Sequence, residues 1–402
     1  MQHSTDRILT THAGSLIRPP EIIEVMQARD VGQSYDETAF AAHVRRSVAE
    51  VVRKQAEVGV DIPSDGEQSK PSFFAYTHDR LTGFERRPSR PGEAPVPVGK
   101  DRQDFAAFYA QYDPLARSMW LPPSVAPSSA PVALGRTVCT GPITYKGQAA
   151  VQRDIANFKA ALAGVTVAEA FLPAAAPTMV QYGSMNEYYP SDEAYVYALA
   201  DALKEEYHAI VNAGFLLQID APELPATYDR MLAHGLTLTD YRNYATLCVE
   251  AINHALAGIP EDRVRYHICW GSWNGPHTTD VPLQDILDIL LQVRAQAYSI
   301  EAANPRHEHE WQVWKDVKLA VGKILIPGVI THATNIVEHP ELVALRIKNY
   351  AQYVGRENII AGTDCGFSQS WSAIRVHPQI QWAKLQTLAA GARLATRELW
   401  RK

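Results

Sequence analysis

This 402-residue chain predicts an α/β fold of the (β/α)8 barrel (TIM barrel) class, on three observations. Short apolar runs alternate with amphipathic helical segments along most of its length. Eight such runs have the length and β-branched character of strands buried on both faces. The chemistry-bearing residues recur at or just beyond the C-terminal ends of those runs, where a barrel gathers its catalytic groups at one mouth.

Taken in order, the expected strands are ILTTHAGS (8–15), VDIPSDGE (60–67), TVCTGPIT (137–144), FLLQIDAP (215–222), YHICW (266–270), YSIEAA (298–303), ILIPGVI (324–330) and NIIAGTDC (358–365). A ninth segment, EAFLPAAAP (169–177), competes for a place among the eight. The helices between them carry their own punctuation. DETAFAAHVRRSVAEVVRKQAEVG opens on Asp36 as a cap and stops at Gly59, and SDEAYVYALADALKEEYHAIVNAG runs from Ser191 to Gly214 in the same form. PLQDILDILLQV and PELVALRIKNYAQYVG begin on Pro282 and Pro340, proline being favoured at a first helical position. EHEWQVWKDVKLA reads as a further helix. A doubly wound open sheet is the alternative fold, but no G-x-G-x-x-G follows the first strand.

Residues 85–135 interrupt the alternation. ERRPSRPGEAPVPVGK and LPPSVAPSSAPVALG are rich in Pro, Ser and Ala and flank a segment with aromatics. The stretch reads as an excursion after the second strand, within a single barrel domain spanning 1–402. A lid, a contact between copies in a homo-oligomer and a plain surface elaboration all fit it.

Composition narrows the function classes. Apolar content of 46%, charged content of 20% and a net charge of −6 describe an ordinary globular protein and argue against nucleic acid as partner. No apolar run approaches the roughly 18 residues of a membrane span. MQHSTDRILTTHAGS lacks the apolar core of a signal peptide, and 4 cysteines do not make a disulfide framework, so a cytoplasmic location is expected. Cys139 and Cys248 read as small buried core residues.

The other two cysteines belong to a motif. His267 and Cys269 lie two apart at the end of one strand and so share a face; Cys365 ends another strand. An imidazole with two thiolates suits Zn²⁺, and three protein ligands leave a fourth position open, as in a catalytic zinc site. A thiolate-rich zinc is a modest hydrolytic Lewis acid, but it can hold a substrate thiol deprotonated at neutral pH. Thiol alkylation is the chemistry this ligand set suggests first.

Other strand-end residues complete the candidate site. Glu301 is a candidate fourth ligand, with an ion pair to Arg306 as the competing reading. His332, in GVITHATN, is a candidate proton donor to a leaving group. Asp65, Glu67 and Asp220 are candidates to bind a cationic group such as an amino-acid ammonium; carboxylates bonded to loop amides are the alternative. His12 and Ser15 belong to the same mouth, and Arg18 is a candidate for an acidic group on the substrate. His277, His307 and His309 flank the zinc segments and read as surface or supporting residues.

The series HAGS, DGE, TGPIT, QIDAPE, HICWG, IEAANPRHEHEW, PGVITHATN and GTDCG resembles the catalytic barrel of cobalamin-independent methionine synthase. It is similar above all to the single-barrel branch containing epoxyalkane:coenzyme M transferase. The resemblance covers nearly the whole chain apart from much of 85–135. It implies zinc on His267, Cys269 and Cys365, an exchangeable carboxylate at Glu301, a catalytic histidine at His332, and homocysteine held by Ser15, Glu67 and Asp220. Two departures stand out. No equivalent of the aromatic segment that stacks a folate pterin is evident, and the family's DEPA is here DAPE, which moves one carboxylate by two residues.

The expected function is therefore a zinc-dependent alkyltransferase, with methyl as the expected group. Zinc would activate a small-molecule thiol, homocysteine or one like coenzyme M, toward an alkyl donor. A zinc lyase or hydrolase using metal-bound hydroxide is the second reading, and a noncatalytic barrel with structural zinc the third.

Overall fold

The computed structural model describes residues 1–90, 98–116 and 136–401. In chain order its principal strands are β1 (Leu9–Thr10), β2 (Phe84–Arg87), β3 (Arg136–Cys139), β4 (Phe171–Ala175), β5 (Met185–Asn186), β6 (Leu216–Asp220), β7 (Val264–Ile268), β8 (Ala297–Ile300), β9 (Ile324–Ile330) and β10 (Ile360–Thr363). Seven of them form one sheet in the order β1-β10-β9-β8-β7-β6-β4, parallel at every pairing. Every residue of these seven strands is buried, as strands covered on both faces require. The two outermost members, β1 and β4, are both bonded to residues 60–63. Ile62 N donates to Thr10 O (3.0 Å), while Ala168 N and Phe171 N donate to Asp61 O (2.9 Å) and Pro63 O (3.0 Å).

Helices cover the outer face, and their ends follow the local chemistry. The helix Glu37–Val58 starts where the Asp36 carboxylate accepts a bond from Ala39 N (2.9 Å) and stops at Gly59, whose φ of 94° suits glycine. Ser191 caps Asp192–Asn212 in the same way, through Ala194 N (3.1 Å). Pro340–Val354 forms as expected from its leading proline. Cys139 and Cys248 are both buried. No described helix is long and apolar enough to cross a membrane.

Four expectations change. VDIPSDGE (60–67) forms no strand; Ile62 makes only an isolated parallel bridge to Thr11. The segment TVCTGPIT does not join the parallel sheet. Only Arg136–Cys139 is a strand, paired antiparallel with β2 and parallel with β5 in a separate three-stranded sheet, and its first two residues are half-exposed. The ninth candidate, FLPAA, buried throughout, lies in the main sheet instead. PLQDILDILLQV is not one helix but a 3-10 turn, Leu283–Asp285, followed by the short helix Leu287–Leu290. Arg242 takes the Asp285 carbonyl, and Ile289 N turns to Ile286 O (3.0 Å). EHEWQVWKDVKLA forms a 3-10 helix over Glu308–Lys315 rather than an α-helix. Of the excursion, β2 and the helices Lys100–Asp104 and Ala106–Ala116 are described; 91–97 and 117–135 lie outside the described residues.

Candidate metal centre

β7 carries His267 near its end with Cys269 just beyond, and the chain leaving β10 presents Cys365. Parallel pairing aligns Asp220, His267 and Ser299 across β6, β7 and β8. Ligand atoms of His267, Cys269 and Cys365 lie within 4.8 Å of one another, making one potential metal cluster among the described residues. Ser299 Oγ holds the imidazole through Nδ1 (3.2 Å), which leaves Nε2 buried with no hydrogen-bond partner. An unpartnered buried ring nitrogen on a histidine clustered with two thiols is an arrangement a zinc ion would satisfy, so the residues fit the group. A hydrogen bond from Cys269 outweighs burial and, helped by His267 and His332, holds the Cys365 thiol well below its ordinary range. The bond to Cys365, together with burial, pushes Cys269 up.

Glu301 lies buried beside this cluster but outside its three members. Its Oε2 accepts from Trp270 N (2.7 Å) and its Oε1 from Asn304 Nδ2 (3.1 Å), while Arg306 donates to Thr278 O (3.2 Å). Asp364 Oδ1 accepts from Ala302 N and Ala303 N (both 2.8 Å) and so ties the end of β10 to the Glu301 loop. His332 is buried with neither ring nitrogen bonded, and burial lowers it to about 4, so the ring is neutral at physiological pH.

A cavity of about 240 Å³ opens over the cluster. Ser15, Glu67, Asp220, His267, Cys269 and Cys365 all line it, so six sequence-predicted residues from five segments meet there. His12, Arg18, Asp65, Glu301 and His332 are not on its wall. Three of these brace it from behind. Asp65 Oδ1 accepts from Glu67 N (2.9 Å), Arg18 donates to Glu67 O (2.9 Å) and Ser368 Oγ (2.9 Å), and His12 is engaged by Gln55 (2.7 Å) and Gly14 N (3.2 Å). Asp65 and Arg18 bond Glu67 itself, which sits at φ 55°, a left-handed conformation that costs energy outside glycine. The neighbouring Gly14 is needed for room, since a Cβ there would come within 2.8 Å of Glu67 Oε1.

Burial raises both Glu67 and Asp220 above the ordinary carboxylate range. Two buried carboxyl groups on one wall call for a cationic guest. The sequence reading missed several other wall residues. Glu223, in the same QIDAPE motif as Asp220, is 1% exposed and pushed up to about 8 by burial, against a bond from Thr178. Its signal was present as the displaced carboxylate of DAPE. Phe73, Trp273 and Arg375, on loops, and Tyr182, at the end of the helix Pro177–Tyr182, also line the cavity with no local pattern to announce them.

The excursion reaches this wall. Trp273 Nε1 donates to Tyr109 OH (3.0 Å), Tyr109 OH to Asp101 Oδ2 (2.6 Å), and Asn274 N to Tyr112 OH (3.0 Å). The other end of the same loop is held by buried histidines. His277 Nδ1 and His307 Nε2 both contact Asp280 Oδ2 (2.8 and 2.9 Å), and His307 Nδ1 contacts Glu310 Oε2 (3.0 Å). His309, by contrast, is exposed.

The chain has relatives among known proteins. Residues 129–381, more than half of the chain, match the family model described as cobalamin-independent synthase, catalytic domain. A protein named methionine synthase from Thermococcus kodakarensis is 23% identical over 396 residues, covering 98% of this chain and 95% of its own. The structure of a B12-independent methionine synthase from Shewanella sp. W3-18-1, in complex with selenomethionine, superposes with a TM-score of 0.69 at 18% identity, covering 98% of this chain and 99% of that one. A putative vitamin-B12-independent methionine synthase from Listeria monocytogenes gives 0.64 at 18% identity, over 98% and 100%. The chain belongs to the cobalamin-independent synthase catalytic-domain family.

Proposed function

We propose that this protein is a single (β/α)8-barrel domain that transfers a methyl group to a substrate thiol with the help of zinc. Bonding of residues 60–63 to both β1 and β4 supports closure of the sheet, with this segment in the eighth strand's place. The observation that carries the functional reading is the convergence of His267 Nε2, Cys269 and Cys365 on the cavity wall. Zinc held by these three residues would supply a substrate sulfur kept as thiolate at neutral pH. Glu301, whose charge is felt at Cys269, is the carboxylate available to join the set by releasing Trp270 N.

The protein's own residues would do the rest. Glu67 and Asp220, raised by burial, recover their charge when an ammonium group enters, which favours an amino-acid thiol such as homocysteine over coenzyme M. Ser15 lines the same wall, its hydroxyl accepting from Ser368 N (3.3 Å). His332, buried and unpartnered behind the cavity wall, is our candidate to pass a proton to a leaving group where the donor requires one. Asp65 and Arg18 would keep Glu67 in its strained pose, with His12 bonded to Gln55 and Gly14 behind the wall.

X-ray absorption at the zinc edge tests the reading. The zinc-loaded protein should show one nitrogen and two sulfur ligands, and homocysteine should add a third sulfur. Coenzyme M adding sulfur in its place would move the acceptor class. Failure of every thiol to enter the shell would sink the thiol reading in favour of a metal-bound hydroxide.

A further inference from the structure

Glu223 is left over once Glu67 and Asp220 are assigned to the thiol's ammonium. It starts the helix Glu223–Ala233 directly after β6, on the wall of the cavity, and is not a member of the candidate metal cluster. Thr178 bonds one carboxyl oxygen; the other, Oε2, is buried with no hydrogen-bond partner. An unpaired carboxyl oxygen in so buried a place is costly unless a guest meets it. Much of the wall it shares is apolar and aromatic, with Arg375 also on it and donating to Tyr112 OH (3.5 Å). Phe73, Met179, Tyr182 and Trp273 line it. Two of these rings are fixed in place, Tyr182 beneath the Arg230 guanidinium (3.6 Å) and Trp273 by Tyr109 OH (3.0 Å).

Aromatic faces with one carboxylate are the chemistry that recognises a soft, alkylated cation, which has no N–H to donate and prefers ring faces to water. We infer that this part of the cavity is a subsite for a cationic methyl donor, a sulfonium or quaternary ammonium compound, held by Glu223 and the rings of Phe73, Tyr182 and Trp273. The inference rests on the thiol-methyltransferase reading and adds the donor class to it. The step balances without a further reactant. A lone pair of the substrate thiolate forms the new S–CH3 bond, and the CH3–S⁺ or CH3–N⁺ bond breaks with its electrons. The donor then leaves as a neutral thioether or tertiary amine and needs no proton.

A cation at Glu223 has one other source, the ammonium of the thiol substrate itself, and the experiment separates the two. Zinc-loaded protein is first checked for sulfur gain with homocysteine, which reads thiol activation independently of the donor. Methionine formation is then followed with S-methylmethionine, glycine betaine or methyltetrahydrofolate as donor. At least one of the two onium compounds should turn over. Glu223→Gln and, separately, Trp273→Leu should each raise the donor KM about ten-fold or more. The KM for homocysteine should move less than about two-fold, and the sulfur gain should persist in both variants. Should Glu223→Gln instead raise the KM for homocysteine, the residue serves the thiol's ammonium and the donor inference falls. Turnover with methyltetrahydrofolate alone, with sulfur gain intact, would overturn the inference and leave the thiol reading standing.

Discussion

At the N-terminal ends of the parallel strands, Leu9, Ile62, Phe171, Leu216, Ala297, Ile324, Ile326 and Ile360 pack into one buried apolar cluster. At the opposite ends of the same sheet, Glu67, Asp220, Glu223, His267, Cys269 and Cys365 face one cavity. Four side-chain atoms of that group or its neighbours (Glu67 Oε2, Gln218 Oε1, Glu223 Oε2 and His267 Nε2) are buried without a partner. The first end is arranged as packing alone would arrange it. The second carries desolvated carboxyls, a left-handed Glu67 and close-set thiols, none of which stabilises an empty fold. Arg265 marks the boundary: its guanidinium stacks on Phe171 (3.9 Å) and donates to Thr11 Oγ1 and His12 O (both 2.9 Å). The contrast teaches that the two ends answer to different demands, stability at one and ligands at the other.

Substitution at the two ends should therefore separate stability from function. Cys365→Ser has the largest expected effect. Activity should fall by about a thousand-fold or more and bound zinc to roughly a tenth, while the metal-free protein keeps the stability of metal-free wild type. Metal analysis with chelator-treated controls in a melting assay checks this, and a large loss of stability in the metal-free form would erase the contrast. Phe171→Ala should do the reverse, lowering unfolding free energy by about 3–5 kcal/mol in a denaturant titration while the folded fraction still binds zinc.

The histidine pair that anchors the Trp273 loop sharpens the comparison through pH. Burial works against protonation of His307, but its bonds to Asp280 and Glu310 win and raise it to about 9. Because the folded value lies above the unfolded one of about 6.5, its stabilising contribution is complete below pH 6.5. That contribution is lost as pH rises through about 9. Denaturant midpoints at pH 6.5 and 9 should show the fall, and His307→Asn should flatten it. The smallest effect is expected from Tyr109→Phe, which removes the phenol held by Asp101 and Trp273. It should cost about 1 kcal/mol and raise the donor KM more than the thiol KM.

Much of this was legible beforehand for a physical reason. Strands buried on both faces read as continuous apolar runs, and a polar residue ending such a run has little purpose except at the mouth, so His267, Cys269, Cys365, Glu67 and Asp220 stood out. The choice between TVCTGPIT and FLPAA was not legible, because both are short runs of small and apolar residues. Pairing partners distant in sequence decided it. His12, Arg18 and Asp65 look like wall residues in sequence, yet their hydrogen bonds turn them outward to hold the turn behind Glu67. At the break in PLQDILDILLQV the Asp285 carbonyl is taken by Arg242, on another helix, a long-range contact that no local pattern could reveal.

By itself, then, the sequence determined the α/β class with its buried parallel strands, the helix caps at Asp36 and Ser191, and the donor atoms of the candidate metal centre. These depend on period, local hydrogen bonding and side-chain chemistry, all of which act over a few residues. Only the tertiary structure decided which strand neighbours which, which carboxylates share a cavity, and that Trp273 is fastened to the excursion through Tyr109. Those outcomes depend on long-range pairing and on which buried polar atoms find partners, and they exist only once the chain has closed on itself.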